Sequence, residues 1–65
     1  MASKTVSEVL RQYRIKNGLT QLELAEKLGI TRQYLNSLEN GVLQPGIKLL
    51  RSISDLTKTP IRNLI

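Results

Sequence analysis

Arg32, Gln33 and Asn36 lie close together in the chain and carry side chains suited to the edges of nucleic-acid bases. A guanidinium can donate two parallel hydrogen bonds to guanine O6 and N7. A side-chain amide can pair with adenine N6 and N7, so Gln33 and Asn36 share that chemistry. Ser37 is compatible with several bases. The Tyr34 hydroxyl can reach a phosphate, or its ring can pack on a thymine methyl. For this group to act together it must sit on one exposed helical face. Leu35 and Leu38 supply the opposite face, because on a helix they turn inward while residues 32, 33 and 36 point away.

The elements that would hold this face can be read along the chain. Thr5-Val-Ser-Glu8 has the form of a capping box, in which the Thr5 hydroxyl accepts from the Glu8 amide and the Glu8 carboxylate reaches back. Val6, Val9, Leu10 and Tyr13 follow as an apolar stripe at helical period, and Gly18 ends this first helix. Thr20-Gln-Leu-Glu23 repeats the box, with Leu19 and Leu24 placed as a hydrophobic staple. Leu24, Ala25 and Leu28 form the inward face of a second helix, which Gly29 stops. Thr31 caps a third helix, which ends at Asn40-Gly41. After the loop Val42-Leu43-Gln44, Pro45 suits the first turn of a fourth helix with the stripe Ile47, Leu50, Ile53 and Leu56 or Thr57. Thr59-Pro60 marks a short fifth helix with Ile61, Leu64 and Ile65 apolar. No segment alternates at period two over strand length, so the chain reads as all-α with five helices.

Composition narrows the chemistry. The chain has 65 residues, enough for one domain with a small core. It has no cysteine and no histidine, which removes disulfides, Cys/His metal centres and the usual nucleophile–base pairs. There is one aspartate, Asp55, and no phosphate-binding glycine loop; an enzyme, a cofactor and a metal are not expected. Apolar runs are far shorter than the roughly 20 residues of a membrane span. The N-terminus lacks the apolar stretch of a secretory signal, so a cytoplasmic, nucleoid-associated protein is expected. Ten Lys and Arg against five Asp and Glu give a net charge of +5. Residues 1–19 and 42–65 each carry a net +3, whereas 20–41 carries −1. The positive charge flanks the central segment, as phosphates on either side of a groove would require.

Spacing inside residues 20–41 is the most specific feature. Counted from Gln21, the fifth residue is Ala25, small enough to let the third helix approach the second. The ninth is Gly29, where the chain must turn at positive φ. The fourth, eighth, tenth, fifteenth and eighteenth are Leu24, Leu28, Ile30, Leu35 and Leu38, all apolar. A pair of helices crossing steeply around one sharp turn needs this set at these places.

The run from Gly18 through Gln21, Leu24-Ala25, Gly29, Thr31-Arg-Gln-Tyr-Leu35 and Leu38-Glu-Asn-Gly41 resembles the Cro/repressor (XRE-like) helix-turn-helix family of phage and bacterial regulators. The resemblance covers roughly residues 6 to 65 and is tight over 18–41. It implies a five-helix lambda-repressor-like fold, one domain over 1–65, with helices two and three as the DNA-binding motif. It implies base contacts at Thr31, Arg32, Gln33, Asn36 and Ser37. Gln21 matches a family phosphate contact, which agrees with the affinity of helix N-termini for anions. Thr20 and Asn40 are further phosphate candidates. Arg14 and Glu39 match positions that form a semi-buried ion pair between helices one and three.

Two departures stand out. The loop after Gly41 lacks the family's frequent Lys or Arg, so phosphate grip passes to Lys16, Lys48 or Arg51. Thr57-Lys58-Thr59 stands where the family often has Leu-Gly-Val. Family members usually dimerise, placing two recognition helices about 34 Å apart on a palindromic operator in double-stranded DNA. Ile61, Leu64 and Ile65, together with Val42 and Leu43, are the candidate dimer or partner surface, with closure of the monomer core the alternative for Ile61 and Leu64. With Ile65 last, no effector-binding domain is expected, and the chain is either minimal, as Cro is, or a DNA-binding fragment. The implied function is a transcriptional repressor acting by operator occupancy. The alternative is a small protein-interaction module, an antitoxin or anti-repressor, that binds a protein partner through its apolar surface.

Overall fold

A computed structural model describes residues 5–64. Four α-helices fold around one core: α1 (Val6–Lys16), α2 (Gln21–Leu28), α3 (Arg32–Glu39) and α4 (Ile47–Thr57). A single 3-10 turn, Ile61–Asn63, follows α4. The core joins Val6, Val9 and Leu10 of α1 to Leu24 and Ala25 of α2, Leu35 and Leu38 of α3, Leu50 and Ile53 of α4, and Leu64. Leu10, Leu24, Leu35 and Ile53 are wholly enclosed, as is Ala25 where α2 meets α3.

Each helix start reflects its cap. Thr20 Oγ1 accepts from Glu23 N at 3.1 Å and Glu23 Oε1 accepts from Thr20 N at 2.8 Å, a complete capping box. Thr31 Oγ1 accepts from Tyr34 N at 3.0 Å. At α1, Thr5 Oγ1 accepts from Glu8 N at 3.4 Å and also pairs with Ser7 Oγ at 2.8 Å. The expected box there is half formed. Gly29 takes φ +71 and reverses the chain between α2 and α3, a conformation that a Cβ disfavours.

The structure corrects the C-terminal third. The predicted fifth helix is one 3-10 turn, since Ile61 and Leu64, three apart, suit three residues per turn as well as an α-helix. Pro45 precedes α4, whose N-cap is Gly46. Ile47 is exposed rather than core-facing. Of the two readings for Leu64, dimer surface or monomer core, the structure takes the second: it is buried at 5% exposure in the core cluster, which removes it from the candidate dimer surface. Ile61 is half-buried against the same core, and Ile65 lies outside the described residues.

Lys58 ends α4 at φ +56, the left-handed region. Its amide donates to Ser54 O, Thr59 N donates to the same carbonyl at 3.1 Å, and Ser54 Oγ donates to Thr59 O at 2.6 Å. These bonds hold a lysine where glycine would be unstrained. Lys58→Gly is expected to stabilise the fold by about 1 kcal/mol, or roughly 4–8 °C in melting temperature for a domain of this size. A thermal melt that shows no rise would mean the turn is not strained.

Candidate nucleic-acid interface

The exposed face of α3 begins at its first residue. Arg32, Gln33 and Asn36 are exposed, Ser37 is half-exposed, and all four line one depression with Gln21 from the first turn of α2. Leu35 and Leu38 on the opposite side of α3 are buried, which fixes the rotation of the helix about its axis. Tyr34 packs partly on the core, leaving it less free than its neighbours. The Thr20 and Thr31 hydroxyl oxygens accept cap bonds, and each hydroxyl keeps a proton to donate. Asn40 is exposed and forms the C-cap of α3, with its amide donating to Asn36 O at 3.0 Å.

Three bonds from α1 lock the far end of α3. Arg14 Nε donates to Glu39 Oε2 at 2.9 Å and Arg14 Nη2 to Glu39 Oε1 at 3.1 Å, a two-point ion pair. Arg11 Nη2 donates to the Glu39 backbone carbonyl at 2.8 Å. The Glu39 side chain is 3% exposed and that of Arg14 is 23% exposed. Hydrogen bonding to Glu39 raises the Arg14 guanidinium above its ordinary pKa, partly opposed by desolvation and aided by the carboxylate charge. Arg11 was not foreseen. Its spacing of three from Arg14 places both on one face of α1, but that pattern does not name a partner 28 residues away.

Gln21 is placed differently from a simple phosphate contact. Its Nε2 donates to Asn36 Oδ1 at 3.1 Å and to Glu39 Oε1 at 3.3 Å. The side chain therefore ties the start of α2 to the outer face of α3. Lys16, Lys48 and Arg51 are exposed, and so are Val42 and Leu43. Among the described residues there is no cluster of acidic side chains that could hold a metal, and no helix is long and apolar enough to cross a membrane.

Comparison with known proteins agrees with this geometry. A sequence model of the helix-turn-helix family matches residues 10–64. An uncharacterised HTH-type transcriptional regulator of Archaeoglobus fulgidus is 36% identical over 55 residues, which cover 85% of this chain and 79% of that one. The crystal structure of SinR, the master regulator for biofilm formation, in complex with DNA superposes with a TM-score of 0.75 at 31% identity, covering 92% of this chain and all of that one. A SinR/SinI protein complex superposes with a TM-score of 0.76 at 31% identity, covering 94% of this chain and 60% of that one. By its helix pair, its glycine turn, its outward polar face and these similarities, the chain belongs to the Cro/repressor (XRE-like) helix-turn-helix family of DNA-binding transcriptional regulators.

Proposed function

We propose that this domain is a sequence-specific repressor that binds double-stranded DNA as a dimer and acts by occupying an operator. The observation that carries this reading is the single polar depression shared by Arg32, Gln33, Asn36, Ser37 and Gln21 on an otherwise apolar-backed helix. α3 enters the major groove with Arg32 and Gln33 on base edges. Thr31 and Ser37 contribute single hydroxyl contacts, and Tyr34 reaches the backbone or a thymine methyl. The Gln21 and Leu22 amides in the first turn of α2 have no intrahelical acceptor and form the partial positive end of the helix. Phosphate is held there by the Gln21 backbone N–H and the Thr20 hydroxyl, and further out by Asn40, Lys16 and Lys48.

Dimerisation is proposed through the exposed side chains of Val42, Leu43 and Ile47 and the half-buried Ile61. The same apolar side chains support a second reading, in which a protein partner docks there. SinR, to which this chain is similar, has solved structures in complex with DNA and with SinI.

Selection from a random duplex pool tests the first reading. A single enriched motif with two-fold symmetry is expected. Retention of no duplex at low salt, together with tight binding of a protein partner, would favour the second. A dimer making about six phosphate contacts is expected to lose roughly a thousandfold in affinity between about 50 and 200 mM salt, through counterion release. Titrations across that range that show a flat response would count against groove binding.

A further inference from the structure

Gln21 joins two residues three apart on α3 that differ in burial: Asn36, exposed, and Glu39, in the interior. A carboxylate has no proton to give, so Glu39 dictates which end of the Gln21 amide approaches it. That end is Nε2, which has two hydrogens. One goes to Glu39 Oε1 at 3.3 Å and the other to Asn36 Oδ1 at 3.1 Å. Asn36 must therefore turn its oxygen toward Gln21. The direction of donation is fixed at its source, because Glu39 is also held by Arg14, which can only donate. The buried ion pair thus sets the polarity of an exposed side chain on the base-reading face.

We propose that Asn36 acts on DNA as a hydrogen-bond donor, with its polarity imposed by Gln21, and selects guanine rather than adenine at the base pair it faces. This rests on the reading of α3 as the groove-reading helix. An amide that reads adenine needs its oxygen turned toward N6 while its nitrogen donates to N7, and a bond to Gln21 turns that oxygen toward α2 instead. Here Gln21 takes one of the two acceptor sites of Oδ1 and fixes the direction of that atom, while no protein acceptor among the described residues takes the two hydrogens of Nδ2. Guanine offers two adjacent acceptors, O6 and N7, that match the two hydrogens of Nδ2. Gln21 is then a positioning residue for specificity as well as a link between α2 and α3.

The test is selection from a random duplex pool with the wild type, Asn36→Ala and Gln21→Met, each first shown to melt cooperatively. Gln21→Met keeps length and volume and leaves Arg14 on Glu39. The position whose preference disappears in Asn36→Ala is expected to hold guanine in the wild-type motif. In Gln21→Met, adenine should become accepted at that position only, with the guanine-to-adenine ratio falling by about tenfold, the size of one good base contact. Replacing that guanine by 7-deazaguanine, which lacks the N7 acceptor, should weaken the wild type and leave Asn36→Ala unaffected. The proposal is overturned by an A·T pair at the Asn36-dependent position, by 7-deazaguanine having no effect, by Gln21→Met leaving the ratio unchanged, or by Asn36→Ala changing no position. If the wild type enriches no duplex at all, the groove-reading assignment of α3 itself fails, a result distinct from these.

Discussion

Arg14→Ala is expected to lower the melting temperature by roughly 12–24 °C, from a loss of about 3 kcal/mol at roughly 4–8 °C per kcal/mol. The size follows from what the substitution leaves behind. Glu39 is almost fully buried, and Arg14 supplies two of its hydrogen bonds and its only ion pair among the described residues. Without Arg14, a carboxylate remains in the interior with Gln21 Nε2 as its main donor. Removing one partner of a buried pair costs more than the pair itself contributes, because the orphaned charge stays desolvated. The loss sits near the lower end of the roughly 3–5 kcal/mol typical of a broken buried pair, because the Arg14 side chain is partly exposed and water can enter where it stood. The reverse deletion should be milder. Glu39→Ala frees Arg14, which reaches solvent by a rotamer change, so its loss should be clearly smaller than that of Arg14→Ala. Equal melting temperatures for the two variants would show that burial of the carboxylate is not the controlling cost. The pair should also survive alkaline conditions. A guanidinium with a folded-state pKa raised above its unfolded value contributes its full stability below the unfolded value and loses it only as pH rises through the folded one.

How much of this was legible in the sequence depended on range. Thr20 and Glu23 declare a capping box because both bonds close within four residues, and the structure forms both. Ala25, Gly29, Leu35 and Leu38 declare the α2–α3 crossing because each answers a local steric or apolar demand. Ile47 did not follow its pattern. Apolar residues three apart advance by less than a full turn of 3.6 residues, so the stripe winds around the helix. With Leu50 and Ile53 at its centre, Ile47 rotates outward and Leu49 takes part of its place. Lys58 gave no sign of positive φ, since lysine is not a residue that usually takes it. The bonds from Arg11 to the Glu39 carbonyl and from Gln21 to Asn36 join residues 28 and 15 positions apart. Periodicity places such residues on faces; only the packing of α1, α2 and α3 together decides which faces meet.

Arg32→Ala is expected to weaken binding to the selected operator by about 1–3 kcal/mol, or roughly 5- to 150-fold, and to relax preference at one base pair. Arg32 is the first residue of α3, exposed, and set in the depression with Gln33 and Gln21. In the proposed groove pose the N-terminal residues of α3 meet the base edges, so the Arg32 guanidinium can reach O6 and N7 of one guanine. Loss of a bond to a base edge penalises only the sequence that carried the partner atom. Lys48→Ala is the control, because Lys48 is exposed near the start of α4 and its proposed target is phosphate. That variant should weaken all duplexes alike and reduce the slope of log affinity against log salt by about one. Competition binding of both variants against the selected site and a single-base mismatch separates the two roles. Should Arg32→Ala lose affinity uniformly while keeping its full discrimination against the mismatch, Arg32 is a phosphate contact, and base reading rests on the other residues of the α3 face, Gln33 and Asn36 foremost.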